Sequence, residues 1–195
     1  MNLLKESTYQ TPCGTIYYWS SILSLDTMTL VFLPGLTADH RLFDKQVEHF
    51  VKKYNIIVWD APAHASSWPF RFEFDLFDKA KWLNGILEKE EIIKPIIIGQ
   101  SMGGYVGQAY AQIAGHGFRI LAEAMEKDLP YEIKCPSLLI CGTKDRAGSC
   151  IRYNRAWHQK TKIPLKWIEG AGHNSNTNKP EMINSLLEEF LSNIL

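Results

Sequence analysis

The sequence is poor in the features that mark several large functional classes. No apolar run approaches the roughly 18 residues needed to cross a bilayer. The first seven residues, Met1 to Ser7, contain no apolar stretch of the kind that opens a secretory signal, so a cytoplasmic location is expected. The four cysteines, Cys13, Cys135, Cys141 and Cys150, form no C-x-x-C pair, and no Cys/His set has zinc-finger spacing, so reduced thiols and no metal site are expected. A Cys141–Cys150 disulfide is conceivable but has nothing in the sequence to support it. There is no Walker loop and no G-x-G-x-x-G turn after a strand, so no nucleotide cofactor is implied. Net charge is absent too: 21 Lys plus Arg balance 21 Asp plus Glu. A broad electrostatic surface for nucleic acid is therefore not expected, whereas the neutrality favours self-association and makes a homodimer conceivable.

What is present is an ordinary packed chain of 195 residues, 46% hydrophobic and 22% charged, with the length of one domain spanning 1–195. Apolar runs alternate with amphipathic ones. Strands are expected at Thr15–Trp19, paired antiparallel with what precedes it, and at Met28–Leu33, Asn55–Trp59, Pro95–Ile98, Ser137–Cys141 and Pro164–Ile168. Helices are expected over His40–Lys53 with Asp39 as cap, Leu76–Lys89, Met102–Gln112, Phe118–Leu129, Tyr153–Lys160 and Glu181–Asn193. Such alternation predicts an α/β fold, a mostly parallel sheet with helices on both faces, whose chemistry lies in the loops beyond the carboxyl ends of the strands.

One such loop reads Gly99-Gln100-Ser101-Met102-Gly103, directly after a strand and directly before a helix. A chain turning that sharply forces the serine into a strained conformation with its hydroxyl exposed, and the flanking glycines leave room for neighbouring backbone. A serine hydroxyl needs a base in contact and a group to orient that base. His173, in Gly170-Ala-Gly-His-Asn174, follows the last strand, and Asp145, in Gly142-Thr-Lys-Asp-Arg146, follows the strand before it. For an oxyanion the candidate donors are the N–H groups of Met102, at the helix start, and of Leu36, in the turn Pro34-Gly35-Leu36. The remaining readings concern a pocket. Trp68, Phe70, Phe72 and Phe74 alternate as one apolar face of an extended stretch, with Trp68 and Phe70 as candidates for an acyl-binding wall, or else packed against the core or a second subunit. His40, near the oxyanion turn, could touch substrate. His64 reads as a loop-stabilising residue, and His49, His116 and His158 have no companions that suggest a metal.

Taken in chain order, the oxyanion turn, Asp60-x-Pro62-x-His64-x-Ser66, the loop around Ser101, Asp145 and His173 resemble the α/β-hydrolase superfamily of small esterases, lipases and cofactor-free haloperoxidases. In that family Pro34 is usually His, and Ala63 and Ala65 are usually glycines. The resemblance implies a serine hydrolase cleaving a small carboxylic ester without a cofactor. Alternatives on the same fold are a catalytically silent binding or scaffold protein, and a lyase or perhydrolase. The family usually carries a further strand and a helical cap between the serine helix and the acid-bearing strand. Here Ser101 and Asp145 lie only 44 positions apart, so a reduced, lidless form is expected, with the deletion near 113–117. Ile113–Gly117, if fully stretched, would span at most about 18 Å, enough to retrace an eleven-residue helix of about 16 Å.

Overall fold

The computed structural model describes residues 3–115, 133 and 135–194. By contact the chain divides into two compact units, Met1–Leu129 and Pro130–Leu195.

The first unit opens with a hairpin, β1 (Lys5–Thr11) and β2 (Gly14–Ser21), antiparallel as expected. Strands β3 (Thr29–Leu33), β4 (Asn55–Trp59) and β5 (Pro95–Gly99) follow, and the sheet order is β1-β2-β4-β3-β5. β2 meets β4 antiparallel, whereas β3 runs parallel to both β4 and β5. The continuous apolar runs of β3 and β4 are explained by burial on both faces: all ten of their residues are buried. One face carries Ile16, Tyr18, Val31, Leu33, Ile57 and Trp59. It is covered by α2 (Leu76–Lys89) through Ala80, Leu83, Ile86 and Leu87, and by α3 (Met102–Gly115) through Val106, Ala109 and Tyr110. Each Leu or Ile sealed in this way stabilises the fold by roughly 1.5–3 kcal/mol. The other face turns Phe32 toward Phe43, with ring centroids 5.0 Å apart, in the segment that leads into α1 (Asp44–Phe50).

Two helices of the first unit differ from expectation, and in the second unit the helix expected at Tyr153–Lys160 starts three residues earlier, at Cys150. The helix capped by Asp39 begins as a 3₁₀ turn at His40–Phe43 and becomes α-helical only over Asp44–Phe50, short of Lys53. The Asp39 carboxylate accepts the Arg41 N–H as an N-cap should, but the acceptor Asp60 also takes the His40 N–H, and this second anchor tightens the first turn. α3 runs on to Gly115 rather than stopping at Gln112. Nothing in Gln112-Ile113-Ala114 breaks a helix, so a stretched crossing does not start at Ile113. The expected helix at Phe118–Leu129 lies outside the described residues.

The second unit has parallel strands β6 (Leu139–Gly142) and β7 (Leu165–Ile168). Around them are α4 (Cys150–Thr161), a single turn α5 (Ser175–Asn178) and α6 (Pro180–Ile194), which buries Ile183, Leu187 and Leu191. All four cysteines are free thiols. Among the described residues no helix is long and apolar enough to cross a membrane.

Candidate active site

In the first unit β5 ends at Gly99 and α3 begins at Met102, leaving two residues to reverse the chain. Ser101 takes up the turn at φ +52°, a left-handed conformation that an L-residue adopts only at a cost of about 1–2 kcal/mol. The strain is held in place by backbone hydrogen bonds. The Gln100 N–H donates to the Leu33 carbonyl at 3.0 Å, Gly103 N–H to Gln100 O at 2.9 Å, and Gly104 N–H to Ser101 O at 2.9 Å. Gly99 and Gly103 are required by crowding: a methyl group on Gly99 would collide with the Gly103–Gly104 backbone, and one on Gly103 with the Leu33 carbonyl. Gly35 in the oxyanion turn sits equally close, since a methyl there would fall 2.9 Å from Ser101 Cβ and 3.1 Å from the Gln100 carbonyl oxygen. The turn bearing Leu36 therefore abuts the turn bearing Ser101. The Leu36 side chain is 56% exposed, and Thr37 completes the bend at φ +62°.

In the second unit the loops after β6 and β7 are laced together. Thr143 N–H donates to Ile168 O at 3.0 Å and Lys144 N–H to Ala171 O at 2.9 Å, while Gly170 N–H donates to Thr143 Oγ1 at 2.9 Å. Gly142 is pressed so closely on the Ala171 and Gly172 carbonyls that a methyl group would not fit. This lacing brings Asp145 and His173 together: Asp145 Oδ2 lies 2.9 Å from His173 Nδ1, and Asp145 Oδ1 accepts the Ala147 N–H at 2.8 Å. Both carboxylate oxygens are thus engaged, and the imidazole is fixed by its Nδ1 edge.

A family model for the alpha/beta hydrolase fold matches residues 29–122. No curated protein sequence matches the chain. Among solved structures, a predicted CIB-like hydrolase from Thermoplasma acidophilum superposes with a TM-score of 0.79 at 20% identity, over 97% of this chain and 98% of that one. Naproxen esterase (carboxylesterase NP) from Bacillus subtilis gives 0.80 at 16% identity, over 96% and 91%. A thermophilic esterase from Thermogutta terrifontis gives 0.75 at 16%, over 98% of each. The chain has the α/β-hydrolase fold. In this fold the expected site residues divide between the two units: Ser101, Met102, Leu36, His40, Trp68 and Phe70 belong to the first, Asp145 and His173 to the second.

The buried Asp60 follows β4 and ties three segments: its Oδ1 accepts the His40 N–H and meets His40 Nδ1, both at 2.8 Å, and its Oδ2 accepts the Ser66 N–H at 3.0 Å. Burial pushes this carboxyl up, but the His40 ring, the His40 N–H and the Ser66 N–H together outweigh it and hold the group below the usual carboxylate range. His40 is stacked on Trp19 at 3.6 Å as well as bonded to Asp60. His64 serves its loop through Nδ1 against the Pro62 carbonyl at 3.0 Å. Ala63 and Ala65, which stand where family members usually have glycine, sit at φ +67° and +42°.

The aromatic stretch does not present one face. Phe70 is 5% exposed and packs on Phe74 and Trp82, whereas Trp68 and Phe72 are 59% and 72% exposed, their rings 6.0 Å apart. The segment is not a strand; its single bridge, Gly14 to Phe70, anchors Phe70 inward, so the strict two-residue alternation breaks.

Sequence reasoning missed Cys150. It begins α4, and its Sγ lies 3.8 Å from His173 Nδ1. Burial and the Asp145 charge push this thiol up, as burial pushes Cys141 up to about 11. Its place in the sequence, five residues beyond Asp145, matches no ligand-spacing motif and gave no signal by which it could be found.

Proposed function

We propose that the protein is a serine hydrolase that cleaves small carboxylic esters through an acyl-enzyme. The observation that carries the reading is Ser101, held at φ +52° between a strand and a helix by glycines that no larger residue could replace. Maintaining a strained, exposed serine costs stability that a merely structural loop would not need to spend. The Asp145–His173 pair at 2.9 Å supplies the partner chemistry. That several proteins of the same fold are named esterases favours ester over other acyl substrates.

In this reading Ser101 Oγ attacks the ester carbonyl while His173 Nε2 takes its proton. Asp145, on Nδ1, fixes the tautomer and stabilises the imidazolium. The N–H groups of Met102 and Leu36 receive the oxyanion, with Met102 adding the positive end of α3. The imidazolium then protonates the departing alcohol. Water, deprotonated by the same nitrogen, attacks the acyl-serine, and its collapse returns Ser101 and releases the acid. Trp68, exposed in the first unit, is the side chain best suited to an acyl group, whereas the packed Phe70 and the bonded His40 would shape the wall behind it.

A fluorophosphonate probe tests this directly. Intact-mass spectrometry is expected to show one adduct on the wild type, none on Ser101→Ala, and labelling slowed about 10³-fold or more in His173→Ala. Absence of an adduct, under conditions that label a control esterase, would leave a silent binding fold as the reading. A series of p-nitrophenyl esters of increasing acyl length then defines the substrate.

A further inference from the structure

We propose that Asp145, Cys150 and His173 form a binding site for a thiophilic divalent cation such as Zn²⁺. A carboxylate oxygen of Asp145, Sγ of Cys150 and a ring nitrogen of His173 all lie within 4.8 Å of one another. The sulfur–nitrogen separation is 3.8 Å. A tetrahedral zinc with bonds of about 2.3 Å to sulfur and 2.05 Å to nitrogen places those two atoms about 3.6 Å apart, so the existing spacing needs almost no adjustment. The Asp145 oxygen, now 2.9 Å from the nitrogen, would open by about 0.5 Å to admit the ion. Three protein ligands of types S, N and O leave the fourth position to water.

The surroundings suit the ligands. Asp145 Oδ1 is held by the Ala147 N–H, which fixes the orientation of the carboxylate. Cys150 stands at the first turn of a twelve-residue helix, where the positive end of the dipole favours a thiolate. Burial and the Asp145 charge push the thiol up; a bound cation supplies charge that offsets both.

The protons balance as follows. On binding, the Cys150 thiol loses its proton to solvent and coordinates as thiolate. The imidazole stays neutral: its Nδ1 gives up the proton it shares with Asp145 and binds the cation, and the ring's one proton resides on Nε2. One proton is released for each ion bound. A ring carrying its proton on Nε2 cannot accept one from a serine, so, resting on the function proposed above, the cation is an off-switch for the hydrolase.

Titrating the whole protein with Co²⁺ as a spectroscopic stand-in for Zn²⁺ tests the site without reference to turnover. The expected result is a thiolate-to-cobalt charge-transfer band in the near ultraviolet, with four-coordinate visible bands, saturating at one ion per chain and abolished by added Zn²⁺. Cys150→Ser should lose the band, while Cys13→Ser and Cys135→Ser keep it. As a check that needs no variant, Zn²⁺ should protect Cys150 of the wild type from alkylation, read by peptide mass spectrometry. An absent thiolate band, a band that survives Cys150→Ser, or unprotected alkylation would overturn the proposal. The two readings fail separately. Fluorophosphonate labelling of metal-free protein with no cobalt band removes the cation site alone, and a cobalt band without labelling removes the hydrolase alone. Where both stand, Zn²⁺ should block labelling with the midpoint of its own binding, and chelation should restore it.

Discussion

Gly103→Ala adds a single methyl group and should disable the serine turn. That methyl would lie 2.5 Å from the Leu33 carbonyl carbon, 2.9 Å from the Pro34 carbonyl oxygen, and closer still to the Leu33 oxygen. All three are main-chain atoms of the strand end that also forms the oxyanion turn, so no side chain can swing aside. Restoring a carbon–carbon contact of about 3.5 Å requires α3 to withdraw by about 1 Å. Overpacking of this kind costs typically 1–3 kcal/mol. A displacement of about 1 Å at a reacting group costs about 10²-fold in rate. The neighbouring glycine supplies the control. A methyl at Gly104 would meet only the Gly99 carbonyl oxygen, at 3.6 Å, an ordinary contact, and Gly→Ala within a helix stabilises by roughly 0.5–1 kcal/mol. Urea denaturation of both variants, paired with fluorophosphonate labelling rates, should therefore give opposite outcomes. Gly103→Ala should unfold at lower urea and label about 10²-fold more slowly, whereas Gly104→Ala should unfold at equal or higher urea. Equal stability and equal labelling in Gly103→Ala would refute the claim that backbone crowding holds Ser101 in place.

Three further substitutions probe the supporting structure. Asp60→Asn should cost about 1–3 kcal/mol, because a buried acceptor of two backbone N–H groups and the His40 ring is weakened. Since the folded carboxyl titrates below its unfolded value, its contribution is complete above the usual carboxylate range and is lost as the pH falls through the folded value; urea midpoints of wild type and variant should converge on acidification, and parallel profiles would contradict the assignment. Ala63→Gly relieves a left-handed alanine, worth about 1–2 kcal/mol, against a glycine entropy cost of about 0.5–1 kcal/mol, so thermal unfolding should show an unchanged or higher Tm; a clear loss would mean the conformation is not strained. Gly142→Ala should drive the loops after β6 and β7 apart and slow serine labelling while leaving the first unit intact, as judged by hydrogen exchange of β3 and β4; unaltered labelling would show that the tight approach is not needed.

The elements legible in the sequence were those whose pattern is set by burial. β4 and α2 have the boundaries that their apolar spacing indicates, because β4 is sealed on both faces and α2 is preceded by Asp75, which caps it in a reciprocal pair of hydrogen bonds with Asp78. Errors arose where a local signal met a tertiary one. Asp39 is a sound helix cap, yet the helix it starts is tightened by Asp60, twenty-one positions away in sequence. The Trp68–Phe74 alternation has the period of a strand, but a period describes a strand only where neighbours supply a ladder, and here a single bridge pins one residue.

The candidate site divides along the same physical line. Ser101, Gly99, Gly103 and Gly35 were recoverable because a sharp strand-to-helix turn permits few residues, so the constraint is written in adjacent letters. Asp145 and His173 followed from their places after two strands, since parallel neighbours bring successive loops to one edge. Cys150 carried no such mark. It lies on a helix start, a place many residue types accept, and what makes it notable is a 3.8 Å approach to a histidine twenty-three positions away. Proximity of that kind is set by how the β6 and β7 loops are laced, through main-chain hydrogen bonds, the Thr143 hydroxyl and the close approach at Gly142, none of which involves Cys150 itself. A side chain whose chemistry depends on its neighbours rather than on its own backbone is visible only once those neighbours are placed. The residue least legible in the sequence is thus the one on which the cation proposal depends.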